Sequence, residues 1–196
     1  MILPPAGFTT PAGVATGLRS LADIAGMPFT LYIKSEDYVD VDTLASLVGE
    51  GTLLAVKYSI VRASPAGDAC LRRLLESVPA TQVVSGMGER PALVRMRDFG
   101  LAAWTTGSDC VAPHAVMALL RAAKEGRADD ARPLRDRFLP LVTLRNEIWL
   151  IRVLHDAVTL SGIAEMGPML SHTPDKALPA IEKATRELRG FDRTLA

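Results

Sequence analysis

The sequence predicts an α/β fold built on a parallel sheet and followed by a helical region. Three observations carry this. Short apolar runs alternate with amphipathic stretches, and each connection between runs is long enough to hold a helix. The runs are apolar throughout rather than alternating, as expected where both faces of parallel strands are covered. From about residue 127 onward no strand candidate remains. A barrel and an open doubly wound sheet both satisfy this pattern.

Each element has its own signal. Met1-Ile2-Leu3 is a short apolar run stopped by Pro4-Pro5 and stands as a fifth strand candidate beside four others. Residues 11–25 open on a proline suited to a first helical turn and place Val14, Leu18, Leu21 and Ile24 at helical spacing. Residues 28–33 (PFTLYI) read as a buried strand. Asp42 is expected to cap a short helix over 43–48, closed by Gly49. Residues 52–57 (TLLAVK) form the next strand, and 65–77 a helix ended by Pro79. A strand at 81–85 leads through Gly86-Met87-Gly88 into a helix at 89–98, and a strand at 101–105 precedes a helix at 113–125. Residues 128–160 are helical with interruptions near Pro133 and Pro140, and 174–189 form a last amphipathic helix. The expected organisation is a βα part over 1–126 and a helical region over 127–196.

Composition narrows the function classes. The 22 Lys+Arg are balanced by 22 Asp+Glu, so neither nucleic acid nor an anionic membrane surface is an expected partner. A hydrophobic share of 48% is too high for a disordered chain. Cys70 and Cys110 make no disulfide framework, and the three histidines show no metal-ligand spacing. The longest nearly apolar stretch, Ile24 to Ile33, is far short of the roughly 18 residues of a membrane span. The start, MILPPAGF, lacks the basic region and apolar core of a signal peptide. A cytoplasmic protein is the expectation.

Lys57 is the most informative residue. It ends the apolar strand Leu53-Leu54-Ala55-Val56, and the C-terminal ends of parallel strands are where α/β folds place their active sites. An amine that loses hydration there is freed to attack a carbonyl. From position alone the commoner reading is a lysine that snorkels to solvent. Tyr32, near the end of the preceding strand, can meet Lys57 if the two share a face, since adjacent strands lie about 4.8 Å apart. A phenol beside an amine is a proton shuttle for imine formation; a phenol that only reaches the rim is the alternative. Tyr58 points to the opposite face, and Tyr38 lies in a loop. Gly86 and Gly88 read equally as a tight turn into the helix or as a Gly-x-Gly that cradles an anion at the helix start.

The succession MILPP, PFTLYI, LLAVK, VVSGMGERPAL and FGLAAWTTGSDCVAP resembles the dihydrodipicolinate synthase/N-acetylneuraminate lyase family over nearly the whole chain. The motifs are individually short; their order and spacing carry the likeness. The resemblance implies a Schiff-base lyase or aldolase on a (β/α)8 barrel with extra C-terminal helices, here an incomplete barrel holding about strands 4 to 8. It implies Lys57 as the lysine that forms the imine with pyruvate or a related 2-oxo acid, and Tyr32 as the tyrosine that relays protons there. Gly86 matches the glycine after the seventh strand, and Thr106 falls where the family has Ser-Gly after the eighth, lining the pocket. No cofactor and no metal are implied, and a homo-oligomer is.

Departures from the family shape the expectation. Ala6-Gly7 follow Pro5 where the family has tyrosines, so its inter-subunit proton relay is not matched. Asp37 stands where true dihydrodipicolinate synthases carry an arginine for the second substrate's carboxylate; Lys34 offers only a less directional charge. Met1 aligns inside the fourth strand, so the first three strands and the GTTGE-type loop that grips the carboxylate are expected to lie outside this chain. A whole barrel takes about 250 residues. Two functions therefore stand side by side: an enzyme seen in part, and a non-catalytic half-barrel that serves as an oligomerisation or binding module.

Overall fold

Capping chemistry and apolar spacing fix the elements of the structure, a computed structural model that describes residues 1–2, 9–169 and 174–196. The chain divides into two units, Met1–Met87 with Val94–Thr105, and Gly88–Leu93 with Thr106–Ala196.

In the first unit, α1 (Pro11–Ala25) begins where the Thr10 side chain accepts the Gly13 N–H at 3.1 Å, and it ends at Gly26 with φ 64°. Three parallel strands follow in the order β1 (Phe29–Ile33), β2 (Leu53–Tyr58) and β3 (Val83–Ser85). Between them run α2 (Val41–Gly49) and α3 (Ala69–Ser77); α4 (Glu89–Phe99), after β3, has its residues 89–93 in the second unit and 94–99 in the first.

The sheet buries one face. Leu31, Ile33, Val56, Tyr58 and Val83 are almost wholly inaccessible and form one core with Leu44, Leu71 and Leu74 of the helices. Thr30, Tyr32, Ala55, Lys57 and Val84 alternate with them and are only half-buried. The expectation of strands covered on both faces is therefore not met among the described residues. Burial alternates even where the sequence does not, because the side chains of Ala55 and Val84 are apolar on the less covered face.

Four local expectations are corrected. The cap of α2 is Asp40, not Asp42: its carboxylate accepts from both the Thr43 N–H and the Thr43 hydroxyl, each at 2.8 Å, so the helix starts earlier. The strand expected at 101–105 is a single bridge between Trp104 and Ser85, because Ser85 is the last residue of β3 and offers no further ladder. The strand expected at 81–85 is shortened, since Pro79 starts a 3-10 turn over Ala80–Gln82. Pro133 lies inside a helix, and the break comes after Asp136 instead. Ile2 pairs with Leu31 as the edge candidate implied; Leu3, Pro4, Pro5, Ala6 and Gly7 lie outside the described residues.

The second unit is helical: α5 (Pro113–Lys124), α6 (Ala128–Asp136), α7 (Leu139–Glu147), α8 (Leu150–Leu160) and α9 (Leu178–Arg193). Leu119, Phe138, Leu141, Val153, Ile181 and Leu188 are buried in it. Asp192 of α9 caps α5 by accepting the Ala115 N–H at 2.8 Å, which ties the ends of two distant helices. No helix among the described residues is long and apolar enough to cross a membrane.

Candidate active site

Register brings Tyr32 and Lys57 together. Parallel pairing of β1 with β2 sets Tyr32 opposite Lys57 on the half-buried face, near the C-terminal ends of both strands. The Lys57 Nζ lies 4.5 Å from the centroid of the Tyr32 ring, a cation–π contact. The amine therefore meets the ring face; no hydrogen bond joins it to the Tyr32 hydroxyl among the described residues. Lys34 places its own Nζ 5.1 Å from the same ring, so the tyrosine is flanked by two ammonium groups. Asp37 is exposed, and its backbone N–H is taken by the Ser35 hydroxyl at 3.2 Å.

Gly86 completes this cluster. A β-carbon there would sit 3.0 Å from both Cγ and Cε of Lys57 and 1.8 Å from the Ser59 Oγ. Its N–H donates to the Tyr58 carbonyl at 2.8 Å. The glycine is needed for space and not for backbone freedom, since its φ is outside the left-handed region. Ser59, whose buried hydroxyl has no hydrogen-bond partner, was not legible as a site residue; its position two after Lys57, on the same strand face, is the signal that points to it.

Behind the sheet lies a buried polar cluster that sequence reasoning missed. The Tyr58 hydroxyl donates to Asp68 Oδ1 at 2.8 Å, and Arg62 Nε donates to the same oxygen at 3.0 Å. Arg95 reaches the Tyr58 carbonyl at 3.0 Å and the Ile60 carbonyl at 3.2 Å. Burial, then the hydrogen bond to Asp68, pushes the Tyr58 phenol above its ordinary range. Burial pulls the Arg95 guanidinium below its ordinary value, with Asp68 opposing.

Thr106 belongs to the second unit. Its hydroxyl donates to the carboxylate of Glu89, the first residue of α4, and accepts the Ser108 N–H at 3.0 Å. Ser108 Oγ donates to the other Glu89 oxygen at 3.4 Å. Glu89 is fully buried, and burial raises its carboxyl pKa, with the Thr106 hydrogen bond opposing. The folded state then holds this proton more tightly than the unfolded chain. Its stabilising contribution is complete below the ordinary value of 4.5 and is lost as pH rises through the folded pKa. Relative to Glu89→Gln, the wild type is accordingly expected to gain thermal midpoint as pH is lowered toward 4.5, read by melting curves of both across pH.

Among the described residues no cluster of three or more His, Cys, Asp or Glu side chains is placed to hold a metal. His114 pairs with Asp192, and His155 with the Met166 carbonyl; His172 lies outside the described residues.

Compared by sequence, the chain matches no family model and no curated protein. Compared by structure, it is similar to dihydrodipicolinate synthase from Oceanobacillus iheyensis, with 22% identity and a TM-score of 0.80, covering 99% of this chain and 64% of that one. The enzyme from Bacillus clausii gives 19% identity and a TM-score of 0.80, covering 98% of this chain and 64% of that one. The enzyme from Aquifex aeolicus gives 20% and 0.78, with the same coverages of 98% and 64%. The chain thus spans just under two thirds of the length of these structures. Over that share, it has the fold of the dihydrodipicolinate synthases.

Proposed function

We propose that the chain carries the lysine-bearing part of a Schiff-base lyase or aldolase that is dihydrodipicolinate synthase-like and takes pyruvate or a related 2-oxo acid. On this reading its strands are about strands 4 to 8 of a (β/α)8 barrel, with 1–126 as the βα part and 127–196 as the added helices. The observation that carries it is the cross-strand pairing of Lys57 with Tyr32 at the strand C-termini, with Gly86 packed against the lysine stem.

The chemistry follows from these groups. The Lys57 amine adds to the ketone carbon, the carbinolamine loses water, and the protonated imine then draws electrons from the adjacent carbon. Tyr32 carries protons to and from the departing oxygen. Gly86 leaves the backbone open to the ligand. The imine is itself the electron sink, so no organic cofactor or metal is required. A cytoplasmic homo-oligomer completes the reading.

Incubation with pyruvate and borohydride, followed by peptide mass mapping, tests it. A reduced pyruvate adduct on Lys57 is expected, and an unmodified Lys57 counts against the enzyme. Tyr32→Phe keeps the ring under the amine and removes the hydroxyl. It is expected to slow trapping by about 10²-fold or more while leaving the melting temperature nearly unchanged. Trapping at the wild-type rate would remove Tyr32 from proton transfer.

The half-buried sheet face around Thr30 and Ala55 favours a second reading, a non-catalytic half-barrel that serves as an oligomerisation module because another chain must cover its open sheet edges. A folded protein that traps no pyruvate and is multimeric by light scattering would select it; a monomer would rule it out.

A further inference from the structure

We propose that Arg95 is a positioning residue: its guanidinium locks together the C-terminal ends of β2 and β3 and thereby holds the Lys57 amine against the Tyr32 ring. Arg95 is 1% exposed. Its Nη1 donates to the Tyr58 carbonyl at 3.0 Å and to the Ser85 hydroxyl at 3.3 Å, and its Nη2 donates to the Ile60 carbonyl at 3.2 Å. Tyr58 directly follows Lys57, and Ser85 directly precedes Gly86. One side chain therefore grips the residue beside the amine and the residue beside the glycine that packs on it.

The electrostatics point the same way. A guanidinium taken out of water is costly unless paired and fully hydrogen-bonded, so a leucine or methionine would fill this helix–sheet contact at lower cost. Asp68 Oδ2 stands 3.7 Å from Arg95 Nη2, and the Tyr58 ring lies 4.9 Å from Arg95 Cζ, which offsets the burial. What the arginine adds is direction. Its planar fork spans two carbonyls and a hydroxyl at once, which neither an apolar side chain nor a single ammonium reproduces. The Tyr58 carbonyl also accepts the Gly86 N–H, and the Ser59 N–H donates to Ile33, so the chain just beyond Lys57 is held from both neighbouring strands. Without the fork, the β2 end is free to tilt, and the 3.0 Å spacing between Gly86 and the Lys57 stem opens.

The catalytic consequence rests on the Schiff-base reading; the geometric claim does not, and the experiment separates them. Lysines are reductively methylated with carbon-13, and the Lys57 signal is assigned by its loss in Lys57→Arg. Stacking on Tyr32 is expected to shift that signal upfield through the ring current. Arg95→Met is expected to lose the shift, and Arg95→Lys to retain only part of it. Leu71→Ala, a cavity in the same core, is expected to lower the melting temperature and keep the shift whole. If Arg95→Met does not fold, Arg95→Lys decides. A folded Arg95 variant with the full upfield shift overturns the proposal, as does equal loss of shift in Leu71→Ala. Pyruvate and borohydride on unmethylated samples of the same proteins give the second readout, with trapping about tenfold slower in Arg95→Lys and unchanged in Leu71→Ala. A wild type that shows the shift and traps nothing sinks the Schiff-base reading and leaves the positioning role standing.

Discussion

Lys57→Arg is expected to abolish the borohydride-trapped pyruvate adduct, a loss of about 10³-fold or more in trapping rate, with little change in melting temperature. The guanidinium still stacks over the Tyr32 ring and still covers the same stem area, so the cation–π contact survives. What disappears is the nucleophile, because a guanidinium holds its proton under any ordinary condition and forms no imine with a ketone. Lys34 supplies the internal control. Its amine lies over the same ring at 5.1 Å but is exposed and outside the strand pair. Lys34→Arg is therefore expected to trap like the wild type. Adduct on Lys34 that persists in Lys57→Arg would move the reactive amine and with it the proposed site.

The pairing of Lys57 with Tyr32 was legible because it needs only local information. Two apolar runs separated by one helix pair in parallel, and residues near their ends then share a height and a face. The Asp40 cap was missed because Asp40 and Asp42 are both good capping residues two positions apart, and only the chain path shows which one reaches Thr43. The short strands were overread for a related reason: apolar composition marks a segment that can pair, while the ladder length depends on the partner's last residue. The Arg95 cluster was hidden more deeply. Its contacts to Tyr58 and Ile60 span 37 and 35 residues, and a helix reading RMRD looks like a solvated face. A faint signal does exist, since Arg95 falls at helical spacing between the buried Ala92 and Phe99, inside an apolar stripe.

Gly86→Ala carries the second large effect, and it acts by geometry alone. The new methyl group would overlap the Ser59 Oγ at 1.8 Å and press on Lys57 Cγ and Cε at 3.0 Å. The serine hydroxyl ends a short side chain and turns away at small cost, but Lys57 Cγ lies close to the backbone and has no such escape. The lysine must leave its rotamer or its strand must move, so the amine comes off the Tyr32 ring. Overpacking of this kind costs about 1–3 kcal/mol of stability, and a displacement of about 1 Å at a reacting atom costs about 10²-fold in rate. The double variant Gly86→Ala with Ser59→Gly separates the two. It relieves the closer overlap and is expected to recover much of the melting temperature. Trapping stays slow, because the contact with the lysine stem is unchanged. Gly88→Ala is the contrasting control: its φ of 68° makes the substitution strained, yet its β-carbon would meet only the Thr106 Oγ1, at 3.8 Å. That variant is expected to lose stability by about 1 kcal/mol and to trap pyruvate at the wild-type rate. Full trapping in Gly86→Ala would mean that Gly86 shapes a turn and nothing more.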